Sequence, residues 1–271
     1  MKYSQEMARR FATTRNGELD SSQTVLGILK HYARDCGPED KILDVGCGPG
    51  YYARLLSAVV APSISINLLD HSAPMLDIAR TSCNGVPNVH FVLADACGLP
   101  YKAETFALCY AINVFHQIED KRAALREIAR SLKNHGVFVL ITPSRSRLRD
   151  FPLFAANADL AAIQERSLPD VNDIARLIEQ EPLPFRHIES RCIRGDDPTP
   201  ASALVRSIRG RFLSILTECT NATIESYADS TERLLRTQGK DLVEPYWSDV
   251  FVLQKEHTDG YCSETSEDEN L

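Results

Sequence analysis

Lys41-Ile-Leu-Asp-Val-Gly-Cys-Gly-Pro-Gly50 is the stretch on which the reading of this chain turns. Ile42, Leu43 and Val45 form the short apolar run that a buried parallel strand needs, and Gly46, Gly48 and Gly50 then break it at alternate positions. The residues after it carry Tyr52, Leu55, Leu56 and Val59 at helical spacing, with Pro49 suited to a first turn. The glycines therefore join a strand to a helix N-terminus, where left-handed backbone angles are tolerated and a ligand can touch the main chain. Free amides there would suit an anionic group. The spacing, however, is G-x-G-x-G rather than the dinucleotide fingerprint G-x-G-x-x-G, and Asp44 sits in the strand end. A carboxylate so close would repel a pyrophosphate and attract an ammonium. A glycine-rich turn with a solvated Asp44 is the plain alternative.

Outward from this stretch the pattern repeats. Ile64-Ser-Ile-Asn-Leu-Leu-Asp70 reads as a second strand ending in an acid, twenty residues beyond Gly50, and Val89-His-Phe-Val-Leu-Ala-Asp95 as a third. A carboxylate at the end of the second strand can accept both hydroxyls of a ribose, since it offers several lone pairs and no donor. Three strand-end acids at one sheet edge fit a ligand carrying an ammonium, a diol and an exocyclic amine. Strand four and its loop occupy residues 106–120, a helix with Ala124, Leu125, Ile128 and Leu132 on one face follows, and residues 136–142 make strand five after an Asn134-His135-Gly136 turn. The βαβαβ alternation predicts an α/β fold with a doubly wound, mostly parallel, seven-stranded sheet.

Asp44, Gly46, Cys47, Gly48 and Gly50 together resemble motif I of the class I S-adenosylmethionine-dependent methyltransferases, in their small-molecule (type 11/25-like) group. Asp95-Ala-Cys-Gly-Leu-Pro100 is similar to that family's D-A-x-x-L-P segment, and His116 and Asp120 match its H-H-V-x-D loop, with Gln117 for the second histidine and Ala107 for the family's strand-four aspartate. The resemblance covers residues 38–142 and implies S-adenosyl-L-methionine as cofactor. It assigns cofactor contacts to Asp44, Gly46, Cys47, Gly48, Gly50, Asp70, His71, Met75, Asp95, Ala96 and Ala111. Tyr3, Phe11 and Arg15 resemble the aromatic and basic positions of an N-terminal lid, with Arg15 facing the cofactor carboxylate and Phe11 the substrate. The missing aspartate removes a metal ligand, so no metal is expected. His116, at the exit of strand four, is the first candidate base and Tyr3 the second; a structural histidine is the plain alternative. Beyond residue 143 the motifs cease. An apolar helix over residues 151–164, a crossover helix over 171–181, a sixth strand over 185–193, two helices within 198–227 and a last strand over 247–253 are expected. Arg209 and Arg211 lie in the helical insertion and could meet an anionic acceptor, or form a solvated helix face.

Composition bounds the rest. With 271 residues, 44% hydrophobic and 25% charged, the chain suits one α/β domain with insertions. A net charge of −7 counts against nucleic acid. The start lacks an apolar signal region and no stretch approaches a membrane span, so a cytoplasmic protein, monomer or homodimer, is expected. Eight cysteines show no C-x-x-C or Cys/His spacing and read as reduced thiols. The expected organisation is a lid at 1–36, a cofactor core at 37–143, the second half of the sheet with helical substrate-binding insertions at 144–255, and a disordered acidic tail at 256–271. The expected activity is methyl transfer to a small molecule by direct displacement. Methylation of protein or RNA, a non-catalytic cofactor-binding protein, and a nicotinamide-dependent enzyme are the rivals; Asp44 and the glycine spacing disfavour the last.

Overall fold

The computed structural model describes residues 4–15, 22–180, 183–195, 197–211, 213–245 and 247–257. In chain order the elements are α1 (Gln5–Arg15), α2 (Ser22–Ala33), β1 (Lys41–Val45), α3 (Tyr51–Ser57), β2 (Ser65–Asp70), α4 (Ala73–Ser82), β3 (Val89–Leu93), β4 (Phe106–Ile112), α5 (Lys121–Ser131) and β5 (Leu132–Pro143). The second half holds α6 (Pro152–Ala156), α7 (Ala158–Ser167), α8 (Val171–Gln180), β6 (Phe185–Arg194), β7 (Thr199–Pro200), α9 (Ala201–Arg209), α10 (Asn221–Thr237), β8 (Leu242–Val243) and β9 (Trp247–Lys255). Short 3-10 turns occur at Phe115–Gln117, Leu148–Asp150 and Ser214–Leu216.

Seven strands form one sheet in the order β3-β2-β1-β4-β5-β9-β6, parallel through β5, with β9 antiparallel to both its neighbours. The order reverses between β1 and β4, and the crevice beyond the carboxyl ends of those strands is where open α/β sheets bind ligands. Alternation along the strands divides the core. Ile42, Leu68, Leu108 and Tyr110 face α2, α3 and α4 through Leu29, Leu56 and Leu76. Leu43, Val45, Leu69, Cys109 and Leu140 face the other way, onto Leu125 and Ile128 of α5 and Ile174 of α8. Each fully buried Leu or Ile contributes about 1.5–3 kcal/mol, so both layers are needed to hold the sheet. Helix starts are fixed locally: Ser72 caps α4 and Asp120 caps α5 by accepting from the amides of Met75 and Ala123.

A third cluster stands apart from the sheet. Phe151, Leu153, Phe154, Leu160, Leu204, Ile208, Leu216, Ile224, Tyr227 and Leu235 pack together as a helical cap built from α6, α7, α9 and α10. The cap touches the loop after β4, where Gln117 donates to the Ser214 hydroxyl at 3.4 Å.

Three expectations are corrected. Residues 151–164 are not one helix: the chain breaks at Asn157, whose buried amide turns inward to donate to the carbonyls of Leu153 and Tyr227 and the Thr231 hydroxyl. The helices of the insertion run 201–209 and 221–237, the second continuing well past Tyr227 because Ala228, Thr231 and Leu235 extend its buried stripe. Asn134-His135-Gly136 is not a turn between helix and strand. β5 begins at Leu132 and carries these residues as an irregularity, with pairing shifted between Phe106 and Leu108 and His135 at φ 63°. The two-residue β7–β8 pairing went unforeseen. The tail beyond His257 lies outside the described residues.

Candidate functional site

The glycine turn leaves β1 with Gly46, Gly48 and Gly50 at φ 70°, 53° and 78°. Two of these positions are fixed by packing as well as by backbone angle. A Cβ on Gly46 would strike Val114, with the Val114 Cβ at 2.8 Å, and one on Gly50 would press on Ala79, Cys83 and Leu68 at 3.1–3.2 Å. Gly48 differs, because a Cβ there meets nothing within 4 Å and its backbone borders open space. The loop amides are not free for an anion, contrary to expectation. Those of Gly46 and Cys47 both donate to the Leu69 carbonyl, at 2.7 and 3.0 Å, Gly50 donates to Cys47, and Gly48 donates to Asp70 Oδ2 at 2.9 Å. Every one of these donors is turned onto β2 or the loop itself, so these four amides make no phosphate cradle.

Asp70 ends β2, 6% exposed, and receives the Ser72 amide on Oδ1 at 2.8 Å in addition to Gly48. Burial raises its pKa against these two amides and the nearby His71, whose Nδ1 lies 3.7 Å from Oδ1. An ionised carboxylate offers about four acceptor sites, so with the His71 amide also directed at it at least one remains for a ligand. Asp70 lines a cleft of about 170 Å³ together with Asp95 and Ala96, and with Val45, Leu69 and Val114 as apolar lining. That volume is smaller than the few hundred Å³ that enclose a drug-sized ligand, so the cleft takes part of one. Asp95 is exposed and its Oδ1 accepts from the Cys97 amide at 2.8 Å.

Asp44 does not line this cleft. Alternation turns it to the other face of β1, where it is 3% exposed beneath the glycine turn. Burial pushes its pKa up to about 8; the Tyr110 hydroxyl draws it down and the charge of Asp70 adds to the rise. No hydrogen bond of good geometry closes between Asp44 and Tyr110, whose buried hydroxyl has no partner among the described residues. A buried carboxyl short of donors is the environment an ammonium completes.

The remaining expected residues scatter. His71, Asp95 and Ala96 are on the cleft. Cys47 is buried with Cys83 on the Asp44 side, its thiol pKa raised mainly by burial. Met75 does not reach the cleft either, because α4 turns it under Ala8 of α1. Ala111 is fully buried in β4, facing the layer of Leu43 and Val45. His116 lies in the 3-10 turn after β4, half-buried; Val114, Gln117, Ile118 and Glu119 around it line the cleft and His116 does not. Arg209 and Arg211 belong to the cap. Arg209 pairs with Glu225 at 2.9 Å and Asp229 at 3.2 Å. Arg211 donates to the carbonyls of Leu216 and Cys219 and to Asn221 Oδ1, so its guanidinium closes a turn of the cap rather than facing an acceptor. Tyr3 and the side chains of Phe11 and Arg15 lie outside the described residues.

Sequence reasoning missed Val114 and Asn113. Val114 is the residue that Gly46 must be a glycine to accommodate. Asn113 stands at the switch point in the left-handed region, φ 55°, with its buried Oδ1 lacking a partner among the described residues. Its signal was available: an asparagine directly after an apolar strand is a common left-handed exit.

Residues 43–140 match the family model described as a methyltransferase domain. An uncharacterized methyltransferase of Bacillus subtilis, YcgJ, is 33% identical over 118 residues, covering 43% of this chain and 45% of that protein. A demethylmenaquinone methyltransferase of Thermotoga maritima is 35% identical over 102 residues, 38% of this chain and 43% of that one. The chain thus spans less than half the length of these curated relatives. Among solved structures, YcgJ superposes with a TM-score of 0.59 at 20% identity, covering 87% of this chain and 99% of that one. Haemonchus contortus phosphoethanolamine N-methyltransferase 2 in complex with S-adenosyl-L-methionine does so with a TM-score of 0.61 at 15% identity, covering 94% and 58%. At such identities these are likenesses of fold.

Proposed function

We propose that this chain, whose residues 43–140 match a methyltransferase-domain family model, is a class I S-adenosylmethionine-dependent methyltransferase that transfers a methyl group to a small-molecule acceptor. The observation that carries the proposal is the electrostatics of the glycine turn. Its amides are engaged by Leu69, Cys47 and Asp70, and two buried carboxyls stand behind it. Such a turn rejects a pyrophosphate and favours a nucleoside that carries positive charge, which also weighs against a nicotinamide cofactor.

When bound, S-adenosylmethionine supplies a methyl group already activated on a sulfonium. The chain's own residues align and shield. Asp70 would accept from the ribose hydroxyls, Asp95 would accept from the adenine amine, and Asp44 would face the ammonium. The apolar walls of Val45, Leu69 and Val114 exclude water. A base is needed only for a hydroxyl or carbon acid, and His116 is the group beside the exit of β4 with a near-neutral reference pKa.

A small acceptor is favoured because the helical cap stands at the Gln117 loop, narrowing the approach from β4, where a polymer substrate needs an open groove. The relatives named for demethylmenaquinone support the same class. Labelled S-adenosylmethionine incubated with the protein and a metabolite extract should place label in small molecules; label confined to polymer, or none, overturns the acceptor class. Calorimetry with S-adenosylhomocysteine tests the cofactor independently. Asp70→Asn, which keeps the shape but turns an acceptor into a donor, should weaken binding on the order of a hundredfold, about 2.7 kcal/mol. Unchanged affinity would remove Asp70 from the cofactor site.

A further inference from the structure

On the helical cap a second cleft of about 860 Å³ opens between α9 and the C-terminal end of α10, and it shares no residue with the cleft at Asp70. Its walls carry four cations: Arg206 and Arg209 from α9, Arg236 from the last turn of α10, and Lys240 just beyond it. Two acids, Glu232 and Asp241, also line it. The excess of cations is unusual in a chain whose net charge is −7. Val205 and Leu235, 5% and 2% exposed, make an apolar floor between the charged walls.

The four cations are not equivalent. Arg209 is held by Glu225 and Asp229, and Arg236 by Glu232 at 2.6 Å, which also neutralises one of the two acids. Arg206 and Lys240 have no side-chain partner among the described residues. One comes from α9 and the other from the residues just after α10, so each helix unit brings a spare cation to the same cleft. Spare cations of this kind favour phosphate, which takes a forked guanidinium on one side and an ammonium point charge on the other.

We propose that the groove between α9 and α10 binds a phosphate-bearing ligand, with Arg206 and Lys240 holding the phosphate and the Val205–Leu235 floor receiving an apolar portion. The site stands on the cap alone and does not depend on methyl transfer.

The test uses the full chain at low ionic strength. Sodium pyrophosphate is titrated by calorimetry, and cosedimentation with phosphatidylglycerol vesicles is compared with phosphatidylcholine vesicles. The Arg206→Ala/Lys240→Ala double variant is measured beside the wild type, its melting curve and S-adenosylhomocysteine affinity serving as controls that the cap and the other cleft are intact. Saturable pyrophosphate binding, weakened on the order of tenfold or more by the double variant and by added salt, supports a soluble phosphate ligand. Binding to anionic vesicles alone, lost in the double variant, supports the same site with a lipid phosphate as its source. Equal behaviour of wild type and variant in both assays, or no saturable binding in either, overturns the proposal. Should the double variant melt early, Lys240→Glu, at an exposed position after the helix, must by itself abolish the binding.

Discussion

The β3-β2-β1-β4 half of the sheet and the helical cap solve different problems. In the sheet half, a few backbone positions are dictated absolutely: Gly46 by left-handed φ and by Val114, Gly50 by φ and three packed neighbours. In the cap, shape comes from volume, with Phe151, Phe154, Leu204 and Leu216 filling space and the buried polar groups satisfied inside the cap, as Asn157 is by Leu153 and Thr231. The first arrangement tolerates almost no change and holds the site. The second can drift in sequence while keeping its packing.

Gly46→Ala presses hardest on this contrast. The added Cβ both strains a left-handed residue and collides with Val114, so a loss of about 3 kcal/mol or more is expected, with S-adenosylhomocysteine binding abolished. Adding Val114→Gly, which also removes the Cβ at 2.8 Å, relieves the collision but not the φ, and should recover part of the melting temperature. Full recovery would show that packing alone, not backbone angle, demands the glycine.

Asp44 sharpens the contrast by pH. Its folded pKa, about 8, lies above the carboxylate reference of 3.8, so the folded state holds the proton more tightly than the unfolded chain. That contribution is complete below about pH 4 and disappears as pH rises through 8. Asp44→Asn should therefore lose less stability than wild type between pH 4 and 8, by on the order of a few kcal/mol, in thermal melts without cofactor. Some slope should remain, because burial raises Asp70 in the same direction. Parallel curves for the two proteins would place Asp44 in a wetter, ordinary environment.

In the cap, Arg211→Ala removes donors from two carbonyls and Asn221 at once. About 2 kcal/mol of stability should go, with S-adenosylhomocysteine affinity unchanged. A matching fall in affinity would mean that the cap and the glycine turn are energetically one unit.

This difference also explains what was legible beforehand. Parallel strands buried on both faces show as apolar runs, and turns that demand glycine show as glycine, so β1, β2, β3 and the turn between β1 and α3 could be placed from residues alone. Asp70, His71, Asp95 and Ala96 followed from strand ends. That Asp44 lies off the Asp70 cleft was not legible, because one step of alternation decides which face a side chain takes, and the twist that brings a cleft to one face is not written in the run itself. In the cap, Asn157 breaks a helix through partners at Tyr227 and Thr231, some seventy residues away. Arg209 and Arg211 looked like a charge run until their acids and carbonyls, contributed by later turns, were in place. Gln117, Ile118 and Glu119 reach the cleft from a loop whose path no periodicity records.

The smallest effect expected in the sheet half is at Asp95, and its size follows from exposure. Asp70 is buried, so removing its charge leaves amides and ligand unanswered; Asp95 is at the open end, where water replaces a lost acceptor. Asp95→Ala should weaken S-adenosylhomocysteine by only about threefold, under 1 kcal/mol. It should also act on Cys97 next door. That thiol is raised to about 11, first by burial and then by the Asp95 carboxylate, so deleting the carboxylate lowers its pKa and increases the thiolate present at pH 8.5. Alkylation of Cys97 by iodoacetamide should quicken in the variant and slow again when S-adenosylhomocysteine fills the cleft that Cys97 lines. Faster alkylation without that protection would leave Asp95 beside the thiol but detach both from the ligand.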